Sequence, residues 1–418
     1  MKQKIAIPRG TRDILSEEIG LWQTLESKAR KIFKTYNYQE IRTPAFEQTA
    51  LFSRSLGQTS DIVQKQMLNL EKEGLSLRPE GTASVVRSYI ENNLDQKEQL
   101  TKLYYIGEMF RGERPQKGRY RQFHQIGAEA IGPNSRSPYL DAEVITLSIN
   151  ILKEFGLKDF VLNINTLGSQ KDKENFSKKL RVLLKPEMDN LCEDCQERFE
   201  RNALRILDCK NKKCKTVIQQ CKIDDAYLCE ESRNYFAQLK KALSDLGIVY
   251  HVSPHLVRGL DYYTDTVFEI TSESLGAQDA LGAGGRYENL VSQLGGPDVD
   301  AIGFALGIER IILALGQSEV KNQESLDVYL IALNEASLAE AFGLLNALRE
   351  KSIRSDINYR SGSMKSQMRA ADKSKAKFVL ILGEDEIKNK EIALKDMKTG
   401  EQQKVAQEKI IEVLRGKL

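Results

Sequence analysis

The sequence predicts an α+β protein in which a long strand-and-helix region is followed by a smaller α/β domain. Three observations predict it. Residues 101–111 and 119–131 read as two long strands joined by a turn, the pattern of an antiparallel hairpin. A stretch from about 170 to 232 turns polar, lysine-rich and cysteine-rich, and reads as an insertion. After GQSEVKNQES (316–325), a segment of linker composition, strand and helix patterns alternate as far as KFVLILG, as in a small α/β domain.

The elements follow in order. Residues 16–36 have Ser16 as a cap, Glu17 and Glu18 in the first turn, and Trp22, Leu25, Ala29, Ile32, Phe33 and Tyr36 at helical spacing. YQEIRTPAFE reads as extended, with Pro44 at a strand end or an edge. QMLNL and LSLRP flank EKEG and predict a hairpin, and TASVVRSYIENN predicts the next helix. VYHVSPHLVRGLDYYTDTVFEI and AIGFALG regain strand character, and IERIILALG reads as a helix after the latter. Beyond the linker come DVYLIAL, a helix near 336–351, SIRSDINY, a helix near 364–374, and KFVLILG.

Composition narrows the class. The 418 residues leave room for roughly two to four domains, and 62 basic against 59 acidic residues neither require nor exclude a nucleic-acid partner. MKQKIAIPRG has no apolar core of a secretory signal, and AIGFALGIERIILALG is broken by Glu309 and Arg310, so no membrane span is expected and the cytoplasm is the expected compartment. GxxxxGK[ST], GxGxxG after a strand, and HExxH are all missing from the sequence. A nucleotide, if bound, must be held by another geometry.

The hairpin holds the strongest local signal. FRGERPQKGRYRQFHQIGAE (110–129) crowds Arg111, Arg114, Arg119 and Arg121 with Lys117. Period two puts Arg119, Arg121, Phe123, Gln125, Gly127 and Glu129 on one face, and Tyr105, Gly107, Met109 and Arg111 share a face of the preceding strand, where Gly107 leaves space. Guanidinium forks suit phosphate oxygens and an aromatic face suits a base. A solvated charged hairpin, with its carboxylate in a structural ion pair, is the plainer reading of the same pattern. Four further segments favour a ligand floor: LRPEGT (77–82), RGLDYYTDTVFE (258–269), LGAGGRYENL (281–290) and GFALGIERIILAL (303–315) each join small residues to arginine, acid or tyrosine.

These segments carry a resemblance. The chain resembles the histidyl-tRNA synthetases, class II aminoacyl-tRNA synthetases, over essentially its whole length. PRGTRDILSEE is similar to the family's opening, YNYQEIRTPAFE to motif 1, MFRGERPQKGRYRQFHQIGAEAIG to motif 2 and GFALGIERIILAL to motif 3. LVRGLDYYTDTVFEI and AGGRYENL are similar to the two segments peculiar to the histidine enzymes. The resemblance implies a class II catalytic domain over 1–321, an antiparallel sheet with flanking helices and a helical insertion, and an α/β anticodon-binding domain over 326–418. It implies activation of L-histidine with ATP and Mg2+ to histidyl-adenylate, transfer to the 3′-terminal adenosine of tRNA(His), and a homodimer built on motif 1.

Residue by residue, the resemblance puts Arg111 and Arg258 on the α-phosphate as the catalytic pair. Phe123 stacks adenine against Arg310, and Arg119 and Arg121 steady the nucleotide. Glu80, Gly81, Thr82 and Gln125, with Arg111 and Arg258, belong to the histidine site around its amino and carboxylate groups. Glu129, Tyr262, Tyr263 and Tyr287 read the imidazole, and Arg114 and Gln116 face the tRNA acceptor end. An Arg258–Asp261 ion pair that merely holds the loop is the structural alternative for Arg258.

In the insertion, Cys192-x2-Cys195-x13-Cys209-x4-Cys214 has spacings that a structural zinc accepts, with lysines beside the thiols. The resemblance does not support zinc here, and reduced, unligated cysteines are the other reading. Two non-catalytic readings stand beside the enzyme, both on the same fold: a regulatory subunit of ATP phosphoribosyltransferase, which usually lacks the anticodon domain, and an RNA-binding sensor. Histidine-dependent ATP–pyrophosphate exchange separates the enzyme from both.

Overall fold

A computed structural model describes residues 5–57, 60, 62–71, 73–276, 279–316, 325–360 and 362–418. The expected linker at 316–325 falls almost wholly outside the described residues, as does residue 72 of the EKEG turn. The chain divides into two compact units, residues 1–321 and 322–418.

The larger unit opens with helix α1 (Ser16–Thr35), strands β1 (Gln39–Glu40) and β2 (Phe46–Gln48), helix α2 (Thr49–Ser55), strands β3 (Asn69–Leu70) and β4 (Leu75–Leu77), and helix α3 (Thr82–Glu91). The long hairpin β5 (Thr101–Phe110) and β6 (Gln122–Ile131) follows, then α4 (Pro138–Glu154) and β7 (Val161–Thr166). The insertion contributes α5 (Gln170–Leu184), α6 (Glu193–Arg201) and α7 (Lys212–Gln220), and α8 (Glu230–Asp245) closes it. The unit ends with β8 (His251–Val252), β9 (Thr264–Thr271), β10 (Ala280–Tyr287), α9 (Leu290–Gln293), β11 (Ala301–Gly307) and α10 (Ile308–Leu315).

One sheet organises it, in the order β1-β5-β6-β11-β10-β9-β7-β8. The six central strands are antiparallel, as expected, while the two-residue edge strands β1 and β8 pair in parallel. On one face α1, α4 and α10 bury Trp22, Leu25, Phe33, Ile145 and Ile311 against Ile126, Ala128, Phe304 and Leu306. On the other face α3 and the insertion cover Tyr105, Met109, Tyr263 and Tyr287. This second face holds the site, because successive side chains of a strand point to opposite faces.

Two local readings change. Leu15, not Ser16, occupies the cap position of α1, and no side-chain hydrogen bond caps it. Residues 253–263 are irregular between β8 and β9, so the Arg258 segment is a loop and not a strand. The smaller unit is a mixed sheet, β13-β12-β14-β15-β16, made of β12 (Val328–Ala332), β13 (Ser355–Ile357), β14 (Phe378–Leu382), β15 (Glu391–Asp396) and β16 (Gln402–Ala406). Its first three strands are parallel and the last two antiparallel. Helices α11 (Glu335–Glu350), α12 (Met364–Lys373), α13 (Glu384–Asn389) and α14 (Ile410–Arg415) accompany it.

Candidate active site

The β5–β6 ladder sets the floor. Tyr105 opposes Gly127, Gly107 opposes Gln125 and Met109 opposes Phe123. Glycine is required at Gly127 and at Gly81, because a Cβ on either would stand 2.3 Å from the Tyr105 ring. Gly107 leaves no room for a ligand: the Arg78 guanidinium fills the space above it and is held there by the carbonyls of Glu108 and Thr43.

A cavity of about 210 Å³ opens over this floor. Glu80, Thr82, Arg111, Arg119, Phe123, Gln125, Arg258, Tyr262, Tyr263 and Arg310 all line it. Arg111 hangs over the Phe123 ring at 5.1 Å and donates from Nε to the Pro79 carbonyl at 2.9 Å. Arg310 crosses from the first turn of α10 and donates to the Ala280 carbonyl at 2.6 Å. Burial lowers the pKa of both arginines. With so much clustered positive charge in a desolvated space, an anion is the fitting occupant.

The polar end of the cavity is built differently. Glu80 sits at the start of α3, where its carboxylate accepts the backbone N–H groups of Thr82 at 2.7 Å and Ala83 at 2.9 Å. Thr82 Oγ1 donates to Glu129 at 2.7 Å, and Tyr287 donates to its other oxygen at 2.7 Å. Burial, with the Glu80 charge nearby, pushes Glu129 up to about 8 even though both hydroxyls favour its anion. Burial likewise pushes Tyr263 up to about 12. The rings of Tyr262 and Tyr263 lie 4.6 Å apart and those of Tyr262 and Tyr287 5.4 Å apart, so the three phenols form one cluster with Glu129.

Six expected site residues are not on the cavity wall. Gly81 is pressed on the Tyr105 ring, and Glu129 and Tyr287 lie beneath the surface with relative exposures of 1% each. Arg121 turns away to the Glu113 carbonyl at 3.3 Å, beside Gly10. Arg114 and Gln116 are exposed in the hairpin turn, which closes between Gln116 and Arg119. The Arg258–Asp261 ion pair does not form. Arg258 Nη1 meets Glu269 at 2.6 Å, while Asp261 accepts from Arg205 at 3.0 Å. Burial lowers the Arg258 pKa, but the Glu269 charge outweighs it and the net shift is upward.

Sequence reasoning missed three acids here. Glu269 lies on β9 and opposes Ala283 across the ladder. Glu113 pairs with Arg119. Glu309 lines the cavity and receives the backbone N–H and ring nitrogen of His124, both at 2.9 Å. All three fall inside the recognised segments, and period two along β9 was the available signal for Glu269.

Among known proteins, the family model for histidyl-tRNA synthetase matches residues 10–311, and that for the anticodon binding domain matches 327–417. The chain belongs to the histidyl-tRNA synthetase family. The Histidine--tRNA ligase of Halothermothrix orenii is 48% identical over 414 residues, covering 98% of each chain. That of Bacillus subtilis is 46% identical over 417 residues, again covering 98% of each. The apo crystal structure of S. aureus histidyl-tRNA synthetase superimposes with a TM-score of 0.81 at 38% identity, covering 99% of this chain and 100% of that one. The fold is therefore the class II synthetase fold with its separate anticodon-binding sheet. The insertion cysteines come together as well: the sulfurs of Cys192, Cys195, Cys209 and Cys214 lie within 4.8 Å of one another.

Proposed function

We propose that the cavity over β5 and β6 activates L-histidine with ATP and passes the histidyl group to the 3′-terminal adenosine of tRNA(His). One observation carries this reading: four arginines from three separate segments, Arg111 and Arg119 of the hairpin, Arg258 and Arg310, share with Phe123 a single cavity that acids and phenols also line. The histidine carboxylate attacks the α-phosphorus, pyrophosphate leaves, and negative charge grows on the phosphate oxygens. Fixed guanidinium groups stabilise that charge without reorganising, so positioning and electrostatics supply most of the rate. Arg111 and Arg258 take the α-phosphate, Phe123 and Arg310 the adenine, and Arg119 the remaining phosphates. Glu80, Thr82 and Gln125 take the ammonium group, and Glu129 with the tyrosines accepts the imidazole. Arg121 braces the motif 2 turn, which presents Arg114 and Gln116 to the acceptor end.

ATP enters as its Mg2+ complex, the ion shielding the phosphates. A zinc ion on the four insertion cysteines serves structure and takes no part in the reaction. The active species is a cytoplasmic homodimer; no helix among the described residues is long and apolar enough to cross a membrane. A non-catalytic regulatory or sensor role is not favoured, given the full-length likeness to enzymes named as ligases. Histidine-dependent ATP–pyrophosphate exchange is the test. Exchange with histidine and not with other amino acids is expected, and its absence in folded dimer overturns the reading.

A further inference from the structure

The loop that carries Arg258 is gripped from one side by the insertion. Lys173 of α5 donates to the Asp261 carbonyl at 3.0 Å and the Tyr263 carbonyl at 2.7 Å. Asn202 and Arg205 both donate to the Asp261 carboxylate at 3.0 Å. These donors fix the loop between Arg258 and the two tyrosines, yet none of them lines the cavity over Phe123.

Asn202 and Arg205 lie on the stretch between Cys195 and Cys209, and both its ends reach the thiol cluster. Cys192 precedes α6 and Cys195 is in its first turn, Cys209 follows the turn Ala203–Asp208, and Cys214 is in the first turn of α7. The Cys192 and Cys209 sulfurs are 3.8 Å apart, and the Cys192 N–H points at the Cys214 sulfur at 3.2 Å. A disulfide needs about 2.05 Å, whereas a zinc tetrahedron with Zn–S near 2.3 Å has edges of about 3.8 Å. Cys192 and Cys209 also line a larger cavity, about 1010 Å³, whose lining includes Arg258, Gly259 and Glu269.

We propose that the four thiolates bind one zinc ion, and that this zinc locks the Asn202–Arg205 stretch so that Asp261 holds the Arg258 loop in its working position. Lys173, Asn202 and Arg205 are then positioning residues, acting through Asp261. Binding expels the thiol protons and closes the loop between Cys195 and Cys209, which limits the places its two donors can occupy.

The inference rests on the histidine-activating reaction for its kinetic readout, and two other readouts are independent of that reaction. Elemental analysis of protein purified without chelator is expected to give one zinc per chain, and cobalt(II) substitution a tetrahedral thiolate spectrum. Substoichiometric metal with no such spectrum, or iron instead of zinc, overturns the site. Hydrogen exchange of backbone 258–263 is expected to quicken in Cys209→Ser and in zinc-stripped wild type, with the β5–β6 core unchanged. Unchanged exchange in that loop overturns the coupling. Asp261→Asn and Arg205→Ala, which keep their zinc, are expected to lose roughly ten- to a hundredfold in kcat for pyrophosphate exchange with KM for histidine and ATP little altered. Arg205→Lys should recover part of the loss. Normal kcat in zinc-loaded Asp261→Asn also overturns the coupling, whereas a zinc-loaded wild type without any exchange tells against the reaction and leaves the site standing.

Discussion

At the scale of single residues, Arg258 and Glu129 make opposite uses of burial. Arg258 is buried as a cation with Glu269 as its counter-charge at 2.6 Å, and the proposed reaction uses that cation against the developing phosphate charge. Arg258→Ala should lower kcat for pyrophosphate exchange by about 100- to 1,000-fold, roughly 3–4 kcal/mol, with smaller changes in KM. Arg258→Lys should rescue little, because a point ammonium lacks the planar fork. A near-normal kcat with raised KM would remove Arg258 from the reacting centre. Glu129 is instead driven toward its neutral form, from an ordinary 4.5 to about 8. Between those values the folded protein holds a proton that the unfolded chain releases. The stabilisation is thus complete below the unfolded value and is lost as pH rises through about 8. Thermal unfolding of the ligand-free protein should show Tm falling across that window and a flatter profile in Glu129→Gln. The same variant should bind histidine more weakly, and identical pH profiles for the two proteins would discard the shifted carboxyl.

At the scale of elements, the strands place the acids and the glycines admit them. Gly303 on β11 opposes Glu129 on β6, and a Cβ there would lie 1.7 Å from a Glu129 oxygen and 2.6 Å from the Ala128 carbonyl. Since one neighbour is backbone, the clash cannot be relieved by turning a side chain. Gly303→Ala should cost about 1–3 kcal/mol of stability and should weaken histidine use through the displaced carboxylate. Denaturant unfolding and the histidine KM check both; a variant matching wild type in each would show that the strands relax freely. Elements also mark how far sequence could be read. The periods of α1 and β6 were legible because one face of each is apolar or charged throughout, and Trp22, Leu25, Ala29 and Phe33 are indeed buried. The loop 253–263 was not, because its tyrosines and valine read as strand until a neighbouring segment takes them: Tyr262 and Tyr263 pack in the core beside Tyr287.

At the scale of the whole molecule, the smaller unit has its own sheet and its own apolar cores, so it should be separable. Deleting residues 326–418 is expected to leave histidine-dependent pyrophosphate exchange largely intact while aminoacylation of tRNA(His) falls sharply. The oligomeric state of the truncated protein is measured alongside, since loss of the proposed dimer would by itself be enough to remove exchange. Exchange and aminoacylation collapsing together in a folded, dimeric fragment would argue against independent units.

By itself the sequence determined the class of fold, the family and the identity of most of the residues gathered at the cavity, because these reside in local period, small-residue spacing and recognisable segments. Tertiary structure decided which of those residues face the cavity and what holds them. Arg121 leaves the floor despite sharing a period with Phe123, because its side chain passes beside Gly10 to a carbonyl of its own hairpin. Arg258 pairs with Glu269, 11 positions away, and not with nearby Asp261, which is claimed by Asn202 and Arg205 from the insertion. Charge partners are chosen by distance in space and by what burial leaves unpaired, and neither quantity is encoded in spacing along the chain.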